Sequence, residues 1–223
     1  MDRTDWLTDV MRRKLERFDV LYAPVYDESW SAIGEQHAAF VNRVIRSVRL
    51  DGVILDAACG TGRFFSMILG SGRRVVGVDS SGGMLARAKS KFPEVTTEFR
   101  RLQNLEFEGA FDAVICVDAL ENLPPEDWLA ALSSLRRAGR SGGSVYVTVE
   151  LVGEVGALAA AFDAARAKGW PVVWGEVATD DGYHFYPERG RVRRWLDEAG
   201  LVLVDEIDSD CYWHLFCQAA PAG

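Results

Sequence analysis

The sequence has few of the features that build metal centres, disulfide frameworks or membrane spans. Its four cysteines, Cys59, Cys116, Cys211 and Cys217, show no Cys-x-x-Cys spacing, and most lie in apolar, strand-like runs. This pattern favours reduced core cysteines over a disulfide framework or a metal site. No run approaches the roughly 18 apolar residues that a membrane span needs, and the charged start lacks the apolar stretch of a signal peptide. We therefore expect a cytoplasmic protein without a metal or a membrane partner.

Positive charge is also scarce. Lysine and arginine number 25 against 33 aspartates and glutamates, which gives a formal net charge of −8. Such a surface is poorly suited to neutralising phosphates, which argues against a nucleic-acid partner. The length of 223 residues and the hydrophobic content of 48% are typical of one globular domain with a substantial core. We expect a small-molecule ligand and a monomer or homodimer.

Short apolar runs alternate with helical patterns along most of the chain. This alternation predicts a mainly parallel sheet with helices on both faces, and ligands bind such sheets outside the carboxyl ends of the strands. The predicted strands are 53–56, 74–78, 95–100, 111–117, 143–150, 201–207 and 212–219, and the predicted helices among them are 63–69, 83–91, one from about 125, 154–168 and 188–199.

Two segments lie outside this alternation. Two helices, at 5–20 and from about 31 to 48, precede the first strand, either as packing elements or as a lid over a site. In 170–186, two apolar arms flank Thr-Asp-Asp-Gly, which predicts a β-hairpin. We expect one domain, 1–223, with a helical lid at 1–50, a cofactor-binding core at 51–150, a helix and hairpin over the substrate site at 151–187, and a C-terminal helix and strands at 188–223.

The stretch from Val53 to Phe65 carries the strongest functional signal. A buried strand ends in Asp56, a tight turn runs to Gly62, and a helix begins. This geometry points backbone N–H groups at an anionic or polar ligand group. The next apolar run ends in Asp79, which is placed to accept hydrogen bonds from a ribose diol. The spacing does not match a dinucleotide fingerprint, because Phe65 stands where the third small residue is needed, and no P-loop Gly-Lys-Ser/Thr occurs.

The pattern Asp-x-Ala-Cys-Gly-Thr-Gly from Asp56 instead resembles motif I of the class I S-adenosylmethionine-dependent methyltransferases, with Ala58 in place of the usual first glycine. Further matches follow in the family's order at 75–85, 104–107, 111–116 and 137–143. The resemblance implies an α/β, three-layer Rossmann-like fold whose seven-stranded, mainly parallel sheet ends in an antiparallel strand. It also implies S-adenosyl-L-methionine as cofactor and S-adenosyl-L-homocysteine as product.

The same resemblance assigns the cofactor residues. Backbone from Ala58 to Gly60 would line the methionine end, and Asp56 would fix the loop and the amino group. Asp79 would bind both ribose hydroxyls, Met84 would pack on the adenine, and residues after the third and fourth strands would frame the adenine edge and close the pocket beneath the sulfonium. The full set is Asp56, Ala57, Ala58, Cys59, Gly60, Gly62, Asp79, Ser80, Met84, Leu102, Gln103, Val117 and Asp118.

Methyl transfer is an in-line displacement that needs donor and acceptor about 3 Å apart, and a base helps when the acceptor carries a proton. The candidate bases are His184 in the hairpin, Glu121 after the fourth strand and Glu150 at the end of the fifth. The alternatives are a structural hydrogen bond for His184 and helix caps for the glutamates. His214 is expected to be structural. A further set of residues is expected to line an enclosed, mostly apolar acceptor pocket; the alternative is that they only bury the two insertions. They are Tyr22, Tyr26, Trp30, His37, Trp174, Tyr183 and Tyr186.

The expected activity is methyl transfer to a small-molecule acceptor, with O- or N-methylation ahead of C-methylation, in secondary metabolism. Two alternatives stay open. One is an enzyme of this fold that uses the cofactor for a non-methylating step, such as cyclisation or decarboxylation. The other is a non-catalytic cofactor-binding protein.

Overall fold

The computed structural model describes residues 2–180 and 182–220. Its main sheet contains β1 (Val53–Ala57), β2 (Arg74–Asp79), β3 (Thr96–Phe99), β4 (Phe111–Cys116), β5 (Gly139–Glu150), β8 (Leu201–Ser209) and β9 (Tyr212–Ala219), and a separate hairpin contains β6 (Glu176–Ala178) and β7 (Tyr183–Phe185). The main sheet has the order β3-β2-β1-β4-β5-β9-β8. Strand β9 runs antiparallel to both of its neighbours, β5 and β8. The predicted seven-stranded sheet with an antiparallel last strand is confirmed.

Eight α-helices accompany the sheet in the described part of the chain. They are α1 (Arg3–Arg17), α2 (Tyr26–Trp30), α3 (Glu35–Ser47), α4 (Phe65–Leu69), α5 (Gly82–Lys91), α6 (Trp128–Ala138), α7 (Val155–Ala167) and α8 (Arg189–Ala199), with a π-helical turn at Phe18–Tyr22 and a 3₁₀ turn at Leu120–Asn122. None of the helices in these residues is long and apolar enough to cross a membrane.

The central strands bury both of their faces, which gives the fold its three layers. Successive strand residues point to opposite faces of a sheet. Accordingly, Leu55 and Val114 join an apolar cluster with α1, α6 and α8. Their neighbours Ile54 and Ile115 join a second cluster with α3, α4 and α5. All four side chains are fully buried. Because helices cover both faces of β1 and β4, almost every side chain of these strands is buried, and their sequences are nearly continuous apolar runs.

Several boundaries differ from the predicted ones for local reasons. The first helix after β1 starts at Phe65 rather than at position 63, because Gly62 has a φ of +83° and the preceding residues form turns. The short helix α2 lies where the sequence predicted only a break, and α3 begins at Glu35, four residues later than expected. Strand β5 begins at Gly139, before the predicted start, with a register shift opposite Phe111 and Ala113.

The predicted hairpin is confirmed by the antiparallel pairing of β6 with β7. Position 181 of its turn lies outside the described residues. The expectation for the cysteines is correct for Cys59, Cys116 and Cys217, which are buried and unpaired. It is wrong for Cys211, whose thiol is also free but exposed, because this residue lies in the tight turn between β8 and β9 with a φ of +68°.

Candidate cofactor and acceptor site

The glycine turn after β1 adopts a left-handed backbone at three positions. Ala58, Gly60 and Gly62 have φ values of +64°, +54° and +83°. A side chain on a left-handed residue costs roughly 1–2 kcal/mol, and Ala58 bears this cost where the resemblance would place a glycine. At Gly62 an added Cβ would lie 2.6 Å from the ring of Phe65, whereas at Gly60 it would meet no atom within 4 Å. The turn is therefore closed by packing at Gly62 and open at Gly60.

Asp79 fastens this turn to the end of β2. Its carboxylate accepts hydrogen bonds from the backbone N–H of Gly60 and of Ser81, each at 2.8 Å. Burial raises the pKa of Asp79, although these backbone donors and that of Ser80 oppose the rise. Each carboxylate oxygen has a second lone pair. The geometry thus leaves acceptor capacity for the ribose diol predicted at Asp79.

Asp56, at the end of β1, is the least solvated acid of the turn. It is 1% exposed, and its Oδ2 atom has no hydrogen-bond partner in the structure. Burial raises its pKa to about 7, with Arg63 opposing the rise and Asp79 adding to it. Because a buried polar atom without a partner is costly, this oxygen fits a ligand that brings an N–H donor. An amino acid moiety such as that of S-adenosylmethionine provides one, so the residues of the turn fit this cofactor.

Asp118 lies just after β4 in a left-handed conformation, with a φ of +53°. Its carboxylate forms an ion pair with Arg63, and Nε2 of His37 lies 3.2 Å from its Oδ1 atom. Burial acts to raise the pKa of Asp118, but the contacts with His37 and Arg63 outweigh it and lower the pKa. Arg63 had no predicted role, although its place directly after the glycine turn was a usable signal.

The N-terminal segment packs onto both halves of the cofactor motif. Asp27 accepts hydrogen bonds from Thr61 Oγ1 at 2.5 Å and from Lys91 Nζ at 2.9 Å. Asp19 accepts hydrogen bonds from Ser81 Oγ at 2.5 Å and from the N–H of Gly83 at 2.9 Å. Neither aspartate was predicted, because nothing distinguishes them in the sequence from the other acidic residues.

Five other residues predicted to bind the cofactor are buried or have partners within the protein. Met84, Leu102 and Val117 are buried. The side-chain amide of Gln103 donates to Asp127 at 2.6 Å, which directs it toward the start of α6 rather than toward an open space. Cys59 is buried, and its N–H donates to the carbonyl of Val78 at 2.9 Å. Their contacts with a cofactor stay predictions.

The three predicted bases converge at the carboxyl ends of β4 and β5. The Nδ1 atom of His184 lies 3.5 Å from Glu150 Oε2 and 3.4 Å from the hydroxyl of Tyr186. Glu121 is 4% exposed. Its Oε1 accepts a hydrogen bond from the side chain of Asn122 at 2.7 Å, and its Oε2 has no hydrogen-bond partner in the described part of the chain. Burial raises the pKa of Glu121, and the nearby charges of Asp118 and Glu150 add to the rise.

Lys14 of α1 completes this group and was not among the predicted site residues. Its Nζ donates to the carbonyls of Tyr183 and Asn122, at 2.5 and 3.4 Å. Burial lowers the pKa of Lys14, and the negative charges of Glu121 and Glu150 act in the other direction. We call Lys14, Glu121, Glu150, His184 and Tyr186 the acceptor cluster. Among the described residues no group of His, Cys, Asp and Glu side chains could hold a metal ion.

The aromatic residues predicted to line the acceptor pocket separate into two groups. Tyr26 is packed against Trp30 with ring centroids 5.3 Å apart, and Trp30 against Tyr22 at 6.2 Å. Burial raises the pKa of Tyr26, which also interacts electrostatically with Arg63, Asp79, Asp118 and Glu121. Tyr26 thus interacts with charges of both the cofactor motif and the acceptor cluster.

Two other predicted aromatics have structural partners. Tyr183 is buried, and its hydroxyl donates at 2.5 Å to Glu176, a fully buried carboxylate that also pairs with Arg3 of α1. Trp174 packs on Phe162 of α7, with centroids 5.5 Å apart. Their contacts with a substrate stay predictions.

His214 has partners at both ring nitrogens, as expected for a structural residue. Its Nδ1 lies 2.8 Å from the hydroxyl of Tyr146, and its Nε2 lies 3.2 Å from the carbonyl of Ser209. The His214 ring also lies 4.8 Å from that of His37. His37 therefore connects the buried face of β9 with Asp118 at the site.

The strand order and the glycine turn define a Rossmann-like α/β protein with a nucleoside-type site at the carboxyl edge of its sheet. The family model described as "Methyltransferase domain" matches residues 54–143. The demethylmenaquinone methyltransferase of Mycolicibacterium vanbaalenii is 30% identical over 164 residues, which are 72% of this chain and 69% of that protein. The chain belongs to the class I S-adenosylmethionine-dependent methyltransferases, as the sequence motifs predicted.

Two further comparisons delimit this relationship. An uncharacterized methyltransferase of Synechocystis is 34% identical over 99 residues, and this match spans 44% of the chain and 46% of that relative. The crystal structure of magnesium protoporphyrin IX methyltransferase from Synechocystis, with bound S-adenosylhomocysteine, has a TM-score of 0.63 at 18% identity and covers 93% of this chain and 98% of that one. The likeness to that structure shows a shared fold.

Proposed function

We propose that the protein transfers a methyl group from S-adenosylmethionine to an oxygen or nitrogen atom of a small molecule, in secondary metabolism. The observation that carries this proposal is the unpartnered Oδ2 of buried Asp56 beside the open face of Gly60 and the carboxylate of Asp79. The relatives support a small-molecule acceptor, because demethylmenaquinone and magnesium protoporphyrin IX appear in the names of two of them.

The residues divide the work between the two halves of the site. The cofactor supplies an electrophilic methyl group on a positively charged sulfur when it is bound. Asp56 accepts hydrogen bonds from its amino group, and Asp79 accepts them from the ribose. Across the mouth of the site, the acceptor cluster orients the acceptor and takes its proton. His184 is suited to this task, because its side chain is 43% exposed and it lies close to Glu150.

Residues 1–50 act as a lid in this proposal. Asp19 and Asp27 hold the segment against the motifs after β1 and β2, and Lys14 brings α1 against the acceptor cluster. A closed lid excludes water and holds donor and acceptor in line, and orientation of this kind can contribute about 7–11 kcal/mol to lowering a barrier.

Isothermal titration and methyl-labelled cofactor test the proposal. We expect S-adenosylmethionine and S-adenosylhomocysteine to bind, and label to move to small-molecule acceptors in an extract fraction free of protein and nucleic acid. Asp79→Asn should weaken both cofactor forms at least tenfold, whereas the control Asp163→Asn, on the exposed side of α7, should not. Substrate consumption with all label left on the cofactor would favour a non-methylating enzyme, and absence of binding at millimolar concentration would leave only the fold.

A further inference from the structure

The acceptor cluster has a buried carboxyl group that receives no hydrogen bond from a charged side chain of the described residues, although the charge of Lys14 acts on it. Glu121 is 4% exposed, and its Oε2 atom has no hydrogen-bond partner among those residues. Glu150 supplies a second carboxylate beside it. The ammonium of Lys14 donates to two backbone carbonyls rather than to either glutamate. The nearby charge of Asp118 is already matched by Arg63. The cluster therefore lacks a cationic hydrogen-bond donor at Glu121.

The unpartnered oxygen of Glu121 favours some acceptor head groups over others. A buried carboxylate is stabilised more by a charged donor than by a neutral hydroxyl, because charge-assisted hydrogen bonds are roughly twice as strong. A carboxylate or phosphate on the acceptor would be repelled by the two glutamates. Tyr186 and Tyr212 interact with both glutamates, and Tyr26 interacts with Glu121. Aromatic faces also attract cations.

We propose that the methyl acceptor is an amine, bound as its ammonium ion by Glu121 and Glu150. This inference rests on the proposed methyl transfer and names its substrate class. The ammonium nitrogen gives one proton to His184, whose Nδ1 atom lies 3.5 Å from Glu150. The freed lone pair forms a bond to the methyl carbon while the carbon–sulfur bond breaks, and the electron pair of that bond stays on sulfur. The products are an N-methylated ammonium ion, a neutral thioether and a protonated His184.

Binding of the ammonium should release a proton from the site. Burial raises the pKa of Glu121 in the free protein, and a bound cation beside it would lower that pKa again. The groups that face Glu121 are Lys14 from α1, Tyr26 from α2, Cys116 and Asp118 at the end of β4, Glu150 from β5, Tyr186 after β7, and Tyr212 from β9.

Three probes that share a phenyl ring and differ in head group test the inference. They are 2-phenylethylamine, 2-phenylethanol and phenylacetate, titrated calorimetrically into the protein saturated with S-adenosylhomocysteine. We expect the amine to bind at least tenfold more tightly than the alcohol, phenylacetate to bind most weakly, and the heat of amine binding to vary with the buffer in the sense of proton release. Glu121→Gln should reduce the amine preference at least fivefold, whereas Glu198→Gln, at an exposed position of α8, should preserve it.

The competing explanation is that Glu121 neutralises the cofactor's own sulfonium. Glu121→Gln would then weaken S-adenosylmethionine more than S-adenosylhomocysteine, which lacks that charge, and leave the amine preference intact. That result overturns the inference, as do equal affinities for amine and alcohol or failure of all three probes to bind. If Glu121→Gln does not fold, Glu150→Gln serves instead, because the Glu150 side chain is 25% exposed. Cofactor binding with label transferred only to hydroxyl or carbon acceptors would refute the amine while preserving the methyltransferase.

Discussion

Replacing Asp56 by asparagine should change how the stability of the cofactor-free protein depends on pH. The pKa of Asp56 is raised from 3.8 to about 7 by burial. Folding therefore binds a proton at Asp56 between these two values, and the free energy of unfolding falls as the pH rises toward 7. Asparagine has nearly the same shape and does not titrate, so its stability lacks this contribution.

The size of the effect follows from the pKa difference. Each pH unit between the unfolded and folded pKa values corresponds to about 1.4 kcal/mol. Between pH 5 and pH 7 the wild-type protein should lose about 2.3 kcal/mol relative to Asp56→Asn, and by pH 8 the loss should level off at about 2.7 kcal/mol. The raised pKa of Glu121 acts in the same direction, but it is common to both proteins and cancels in the comparison.

Urea denaturation of both proteins at pH 5, 6, 7 and 8 measures this difference. The exposed-site control Asp163→Asn should parallel the wild type at every pH. Saturation with S-adenosylhomocysteine, which brings an ammonium group, should flatten the wild-type profile and leave that of Asp56→Asn unchanged. If the difference in unfolding free energy between the two proteins stays constant from pH 5 to pH 8, burial does not raise the pKa of Asp56. The role of Asp56 as the acceptor for that ammonium would then be refuted as well.

Substitutions at two glycines of the turn should affect stability and cofactor binding differently. Gly62→Ala should lower the free energy of unfolding by about 2–3 kcal/mol, through backbone strain and the contact with the Phe65 ring. Gly60→Ala should lower it by only about 1 kcal/mol but should weaken cofactor binding at least tenfold. Urea denaturation and calorimetry check this, and equal destabilisation would contradict it. Glu176→Gln should lower stability by about 2–3 kcal/mol, because it removes the fully buried carboxylate that pairs with Arg3 and leaves this guanidinium only its more exposed partner Glu126; a loss in thermal unfolding free energy below 1 kcal/mol would disprove the role of the buried ion pair. His184→Ala should reduce turnover more than cofactor affinity, with the reverse for Asp79→Ala, and unchanged turnover would exclude His184 as the base.

Local sequence signals determined the sheet and the cofactor turn. Strand periodicity and helix length are read from neighbouring residues, so the seven strands were placed within a few positions of their observed bounds. Helix α8, predicted at 188–199, ends at Ala199 and is followed by Gly200 with a left-handed φ of +74°. The glycine turn and the two carboxylates at neighbouring strand ends were also visible, because parallel strands bring their carboxyl ends to one edge.

The tertiary structure alone decided which polar residues complete the site. Lys14 contacts the carbonyl of Asn122, 108 positions away, and Asp27 contacts Lys91, 64 positions away. Such contacts have no periodicity and no local composition that would mark them in a sequence. Burial decided which polar groups are paired. The hydroxyl of Tyr183 and the carboxylate of Glu176 form a buried hydrogen bond, whereas one oxygen of Glu121 has no hydrogen-bond partner among the described residues. The sequence shows which side chains carry charge, but only packing removes the water around them, and the loss of that water shifts the pKa of Asp56 and Glu121.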